Sequence, residues 1–368
     1  MASADASPAK APDRKPPPLS LKPDFDETAR RWDAYWQGEI IDRPVIAVTA
    51  PVEGFEPRPV NGYRERLYGD IDELIDKTLH NASGAIYGGE SLPQFWTSFG
   101  PDEIGVFCGA EFVWSGEIAG DTNWCTRIVD DWEEALPLRL VDDNPTWLRM
   151  QEIYRKAEPR LRGHALTMPI DSHSNMDLLQ SLRGSQRLCL DMLERPELID
   201  RAMADARAIF PKMLNALNEI AKWDEHGWVY HGFSMDRCYV LACDFICLMS
   251  PPQFRRWVLP ALEEEAELIR HAVFHWDGPG ALVHADDLLA SKGLHTFAYV
   301  PEPGAGHMDY LDLYKEVQAR GKAVSVGGSA DEIKAMHREL DPAKTVYHTG
   351  VKSPKEIDDL LAWFRNHT

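Results

Sequence analysis

No run of about 18 consecutive apolar residues occurs in the 368-residue chain, so no membrane-spanning helix is expected. The opening MASADASPAKAPDRKPPPLSLKPD lacks the apolar core of a secretory signal. Its small residues, prolines and lysines predict a disordered Pro-rich arm over residues 1–22. No basic cluster offsets the formal charge of −20, and phosphate would be repelled, so a nucleic-acid partner is not expected. The six cysteines include no C-x-x-C pair. Three lie in the apolar stretch CYVLACDFIC, and reduced core thiols of a cytoplasmic protein are the expectation. No G-x-G-x-x-G follows the first predicted strand, so no nucleotide cofactor is expected. No linker-like shift of composition divides the rest, and residues 23–368 are expected to form one unit.

What is present is core material: 44% hydrophobic residues, with 12 tryptophans and 13 phenylalanines. Eight β-rich runs recur: RPVIAVTA (43–50), GAIYGG (84–89), HALTMPI (164–170), WVYHGFS (228–234), HAVFHWD (271–277), HTFAYVP (295–301), AVSVGG (323–328) and TVYHTGV (345–351). Several are apolar at consecutive positions, as in strands buried on both faces of a parallel sheet. Helical patterns separate them. Ser250 before Pro251, Ser329 three residues before Glu332, and Ser353 before Pro354 mark helix starts, and Gly321 marks a helix end. This alternation predicts an α/β fold, a single (β/α)8 TIM barrel, with an open doubly wound sheet as the alternative.

In such a barrel, functional side chains gather where strands end. The polar groups at the predicted ends are Glu90, Asp171, His173, His231, Asp236, Arg237, Tyr239, His275, Asp277, Glu302 and His348. Each also has a structural reading. His231 would bond a neighbouring carbonyl, Asp171 would cap a turn, Asp244 and Arg237 would form a buried pair, and His271 and His284 would lie on helical or solvated faces. His275 and Asp277 differ because they alternate on one strand and so point to the same side. That arrangement suits a metal ion held by imidazole and carboxylate, and equally an acid–base pair. Gly278-Pro279-Gly280 would let backbone or ligand approach closely.

CDFICLMSPPQFRRWVLPALEEE, FHWDGPGALVHADDLLASKGLHTFAYVPEPG and MPIDSHSNMDLLQSLRG resemble segments of the uroporphyrinogen decarboxylase superfamily. That superfamily includes corrinoid-linked methyltransferases and the related catalytic domain of cobalamin-independent methionine synthase. RRWDAYWQGEIIDRP is similar to the start of one of its branches. The resemblance covers about residues 160–360 well and 30–130 loosely, and it implies the barrel fold. Haem-pathway decarboxylation is not implied, because AVTAPVEGFEPRPV carries Arg58 as its only base where that enzyme needs an arginine-rich loop. A thiolate zinc site is not implied either: Asp277 stands at the family's first Cys position, and His348 with Thr349 at the late one.

The resemblance therefore implies an enzyme of small-molecule metabolism. Methyl transfer or demethylation comes first, assisted by one divalent metal ion, zinc foremost, and linked to a corrinoid partner protein. The metal set expected is His275, Asp277, Glu302 and His348. His231, His275, Asp277 and Asp171 are expected to be catalytic. His173, Arg237, Tyr239, Trp276 and Trp96 are expected to contact substrate. A decarboxylase or lyase of a small organic acid with a His/Asp acid–base site is the alternative, followed by a non-catalytic ligand-binding barrel. A homodimer is carried as a further expectation.

Overall fold

The computed structural model describes residues 15–59, 62–115 and 122–368. In chain order the strands are β1 Val45–Pro51, β2 Ala85–Gly89, β3 Gln94–Phe95, β4 Phe112–Trp114, β5 Asn123–Cys125, β6 Leu166–Thr167, β7 Trp228–Val229, β8 Phe233–Ser234, β9 Cys238–Ala242, β10 His271–Asp277, β11 Leu294–Val300, β12 Ala323–Gly327 and β13 Thr345–Gly350. The fold is α/β. A seven-stranded sheet runs in the order β2-β1-β13-β12-β11-β10-β9, parallel throughout except for β2. Its strands are apolar on consecutive positions because helices or the interior cover both faces: β9 is buried at every residue, and β12 at all but its last.

The expected helix starts are in place. Ser250 and Gln253 form a capping box ahead of Pro251–Leu268, and Ser329 and Glu332 form one ahead of Ala330–His337. Ser353 accepts the Glu356 amide ahead of Pro354–His367. Gly321, at φ +83°, follows the helix Leu311–Ala319.

Two strand assignments are corrected. GAIYGG forms β2, which runs antiparallel to β1 instead of serving as the next parallel strand. WVYHGFS is a hairpin, β7 against β8, and the parallel neighbour of β10 is β9, inside CYVLACDFIC. The hairpin turns at His231 and Gly232, where His231 adopts φ +53° and breaks the run. Eight parallel strands in one hydrogen-bonded sheet are not seen among the described residues; β3 and β6 form a separate parallel pair. The Leu166 amide extends that pair by donating to Pro93 O, Glu90 after β2 stays tied to β1 through its amide on Ile46 O, and the Tyr239 hydroxyl of β9 reaches Ile170 O beyond β6 at 2.6 Å.

Of the expected arm, residues 1–14 lie outside the described residues, while part of 15–22 is built into the fold. Leu19 is buried, and the Lys22 ammonium is buried on Gly89 O and Tyr87 O. RRWDAYWQGEIIDRP folds as the helix Phe25–Trp36 and the turn into β1. The helix packs at the N-terminal ends of the strands. Tyr35 bonds Thr296 on β11, and Trp36 stacks on His271 of β10 and donates to Phe233 O. His271 is thus an internal stacking partner. His284 is fully buried, on Ile246 O and against Phe254, and neither histidine lies on a solvated face.

Candidate active site at the strand ends

β10 carries its side chains as alternation requires. Phe274 and Trp276 are buried on one face, while His275 is half-buried and Asp277 exposed on the other. Gly278, at φ +69°, turns the chain away, and its amide bonds Val300 O. A Cβ on Gly280 would stand 3.1 Å from the Cys247 Cβ. The Gly-Pro-Gly stretch therefore lets the turn Pro279–His284 pack on the turn Asp244–Leu248.

The second of those turns belongs to a cluster. After β6 the chain passes Asp171 and His173 and enters the helix Asn175–Arg183, with Asp177 in its first turn. Asp177 reaches across to the end of β9. Its Oδ2 accepts the Asp244 amide at 2.9 Å and its Oδ1 the Phe245 amide at 2.8 Å. His173 Nδ1 lies 3.3 Å from Asp177 Oδ2 and 3.7 Å from Asp244 Oδ2, and its Nε2 lies 3.8 Å from Asp171 Oδ2. The Tyr230 hydroxyl donates to Asp171 Oδ1 at 2.8 Å. Tyr239, wholly buried, bonds Ile170 O and Ser172 Oγ and so fixes the backbone on either side of Asp171.

Electrostatics tie these groups together. Burial disfavours the His173 imidazolium, yet Asp171 and Asp177 outweigh it and hold its pKa well above the ordinary value. Burial likewise opposes ionisation of Asp171, but His173, the Tyr230 hydroxyl and His275 keep its pKa below normal. Asp244 is pushed up to about 6 by burial and by Asp177, against the pull of His173 and His275.

A cavity of about 530 Å³ has a wall that includes Thr49, Ser91, Gln94, His231, His348 and Thr349, and His231 on that wall interacts electrostatically with His275 and Asp171 of the cluster. His231 presents its ring to this space from a left-handed backbone conformation, a strained placement typical of functional sites. Burial and the neighbouring His275 lower its pKa. His348 Nε2 pairs with Ser325 Oγ at 3.0 Å, and burial, with His231 and His307 close by, lowers it to about 4. Both imidazoles are neutral at neutral pH. Glu90 also borders the cavity, but its carboxylate is held bidentate by Arg43, at 2.6 and 2.9 Å, and accepts the Ile46 amide.

The structure thus brings Asp171, His173, His231 and His275 into one electrostatic neighbourhood, with His348 beside His231. Asp277 is linked to it through Asp244. Glu302 stands apart, exposed and bonded by the Tyr310 hydroxyl. Among the described residues, the grouping with metal-ligand spacing is His173, Asp177 and Asp244, which differs from the expected set of His275, Asp277, Glu302 and His348.

Arg237 lies at the opposite end of β9, over the Trp228 ring and 3.7 Å from Asp224. It therefore meets neither the cavity nor Asp244, because the strand begins where the sequence reading placed an ending. Asp236 is at the same end, paired with Arg270. Trp276 is fully buried against Phe297 and Tyr299, turned away from His275 by the strand alternation. Trp96 is partly exposed under the Arg66 guanidinium, next to Tyr63. The sequence reading missed Asp177 and took Asp244 as structural. The signals were there: Asp177 follows His173 by four residues at a helix start, and Asp244 follows β9 by two.

No protein-family model matches the chain, and no curated protein matches it. Among solved structures the fold is similar to a methyltransferase from Methanosarcina mazei, at 17% sequence identity and a TM-score of 0.58, over 95% of this chain and 99% of that one.

Proposed function

We propose that this protein is a methyltransferase whose strands close into a (β/α)8 barrel and whose reaction takes place at their C-terminal ends. The observation that carries the reading is the set of His173, Asp171, Asp177 and Asp244 at the strand ends, linked electrostatically through Asp171 to the cavity residue His231, on a fold similar to that of a methyltransferase. Closure is supported by the parallel pairing of β1 with β13 and by the links through β3, β6 and Tyr239 to β9.

The donor set fits a divalent cation. Three ligands at about 2.1 Å from a tetrahedral ion stand about 3.4 Å from one another, and the histidine-to-carboxylate distances here are 3.3 and 3.7 Å. One nitrogen and two carboxylate oxygens make a hard set suited to Zn²⁺ or a similar ion. Such an ion, when bound, would supply Lewis acidity to the heteroatom that carries the methyl group. His173, Asp177 and Asp244 would hold it in place of the set read from the sequence. In the transfer, the bonding pair stays on the heteroatom that loses the methyl group, and an electron pair of the acceptor forms the new bond to carbon. The methyl acceptor is the corrinoid of a partner protein. His275 and Asp171 flank the reacting centre, and the neutral wall of Thr49, Gln94, His231, His348 and Thr349 orients the substrate.

Zinc analysis of protein purified without chelator, followed by assay of cobalamin methylation from a panel of methylated substrates, tests this. About one ion per chain and substrate-dependent methylation are the expected results. A metal-free protein that releases carbon dioxide from small organic acids would replace the reading with the decarboxylase one. Ligand binding without turnover would leave a binding barrel.

A further inference from the structure

Glu265 lies beneath the cluster, near the end of the helix Pro251–Leu268, with only 3% of its surface exposed. Its Oε1 accepts the Ser174 hydroxyl at 2.7 Å and the Asn175 amide group at 3.4 Å, while its Oε2 is buried without a hydrogen-bond partner. A buried acid is an unusual core residue unless something requires it. Here it grips Ser174 and Asn175, the two residues that follow His173 on the way to Asp177.

The local geometry shows what the grip does. Ser174 occupies the N-cap of the helix Asn175–Arg183, yet its side chain does not cap the helix and turns to Glu265 instead. Asn175 takes φ +49°, a left-handed conformation that a non-glycine residue holds only where its surroundings fix it. It is kept there by bonds from its side chain to Ala242 O at 3.1 Å and from the Met176 amide to its own Oδ1 at 2.6 Å. The kink lets His173 stand outside the helix while Asp177, inside its first turn, faces the same point.

We propose that Glu265 is a positioning residue that sets the spacing of His173, Asp177 and Asp244, and through it the affinity of the cation site. The inference rests on the cation reading given above. It is carried by the hydrogen bonds, and burial holding the carboxyl up at about 8 agrees with it, since a neutral acid is the form such a pocket tolerates. Groups that hold ligating side chains from behind typically govern metal affinity by 10–100-fold.

The experiment compares Zn²⁺ affinity, by competition with a chromophoric chelator, in the parent protein, Glu265→Gln, Glu265→Met and Ser174→Ala, each checked by circular dichroism. Glu265→Gln keeps an acceptor for Ser174 and is expected within about threefold of the parent. Glu265→Met and Ser174→Ala are expected to weaken Zn²⁺ by roughly 10–100-fold. If Glu265→Met does not fold, Ser174→Ala removes the same bond and decides alone. Affinity within about threefold of the parent in a folded Glu265→Met or in Ser174→Ala overturns the proposal. Should the parent itself bind no Zn²⁺, the cation reading fails separately. Amide exchange at Asp244 and Phe245, both bonded by Asp177, then decides the positioning role. Faster exchange confined to those two amides in Glu265→Met supports it, and unchanged exchange overturns it.

Discussion

His173 Nδ1 stands 3.3 Å from Asp177 Oδ2 across the first turn of a helix, and the same Asp177 oxygen accepts the backbone amide of Asp244. One carboxylate therefore serves two purposes: it ties the turn after β9 to the helix after β6, and it faces the histidine. Asp244 is different, because its amide is structural while its side chain, 41% exposed, is free for chemistry.

Asp244→Asn is accordingly expected to leave folding stability within about 1 kcal/mol of the parent while weakening divalent-cation uptake at least tenfold. Asp177→Ala is expected to lose stability as well, about 2–3 kcal/mol, because two backbone amides lose a charged acceptor. Urea unfolding beside metal analysis separates the two. Equal losses of stability in both variants would contradict the division of labour.

His275 and Asp277 share a strand face but not an environment. His275 is half-buried and acts electrostatically on Asp171, His231 and Asp244; Asp277 is exposed. Once a substrate is known, His275→Ala is expected to lower kcat about 100-fold, and Asp277→Asn less than tenfold. Unchanged turnover in both would return this strand end to a polar turn.

The cavity wall residues Thr49, Ser91, Gln94, His231, His348 and Thr349 are uncharged at neutral pH, and the Arg43 and Glu90 charges are spent on each other. The wall itself offers a carboxylate ligand no counter-ion. In metal-free protein, among 2-methoxyethanol, methoxyacetate and 2-methoxyethylammonium, which differ mainly in charge, methoxyacetate is expected to bind weakest. Saturation-transfer NMR reads this directly, and tightest binding by methoxyacetate would refute it.

The contribution of Glu103 to stability should fall between pH 5 and pH 8. Glu103 is wholly buried, and its carboxyl is pushed up to about 8 by burial, even though the Phe99 amide donates to it. Above the ordinary value of 4.5 the unfolded chain releases this proton and the folded chain does not, so stability present at low pH is lost as pH rises toward 8. The slope from one such group is about 1.4 kcal/mol per pH unit inside that window. Glu103→Gln should remove this contribution, so that the stability of the variant relative to the parent rises with pH across this window, as read by chemical denaturation. An unchanged slope would show that Glu103 ionises as readily folded as unfolded.

Much of the fold was legible because burial on both faces writes itself as continuous apolar runs. β1, β10, β11, β12 and β13 could be read this way, and the helix starts at Ser250, Ser329 and Ser353 by their capping chemistry. The errors fell where two apolar runs adjoined. WVYHGFS and CYVLACDFIC are both strand-like, and periodicity alone cannot say which joins the sheet. Choosing the first put Arg237 and Asp236 at a strand end when they stand at a strand beginning, and it hid Asp244. Asp177 was missed because a carboxylate in a first helical turn is ordinary as a local feature. Only the tertiary meeting of two loops gives it a partner.

The register that sets Val45 beside Val346 reaches beyond the finished molecule. Strand β1 has its parallel partner roughly 300 residues downstream, a loop whose closure costs entropy that local helices cannot repay in advance. During synthesis β1 must wait, with only the antiparallel β2 alongside it, until the segment around residue 350 leaves the ribosome. While the residues between β1 and β13 are being made, the growing chain therefore presents an open strand edge to its neighbours.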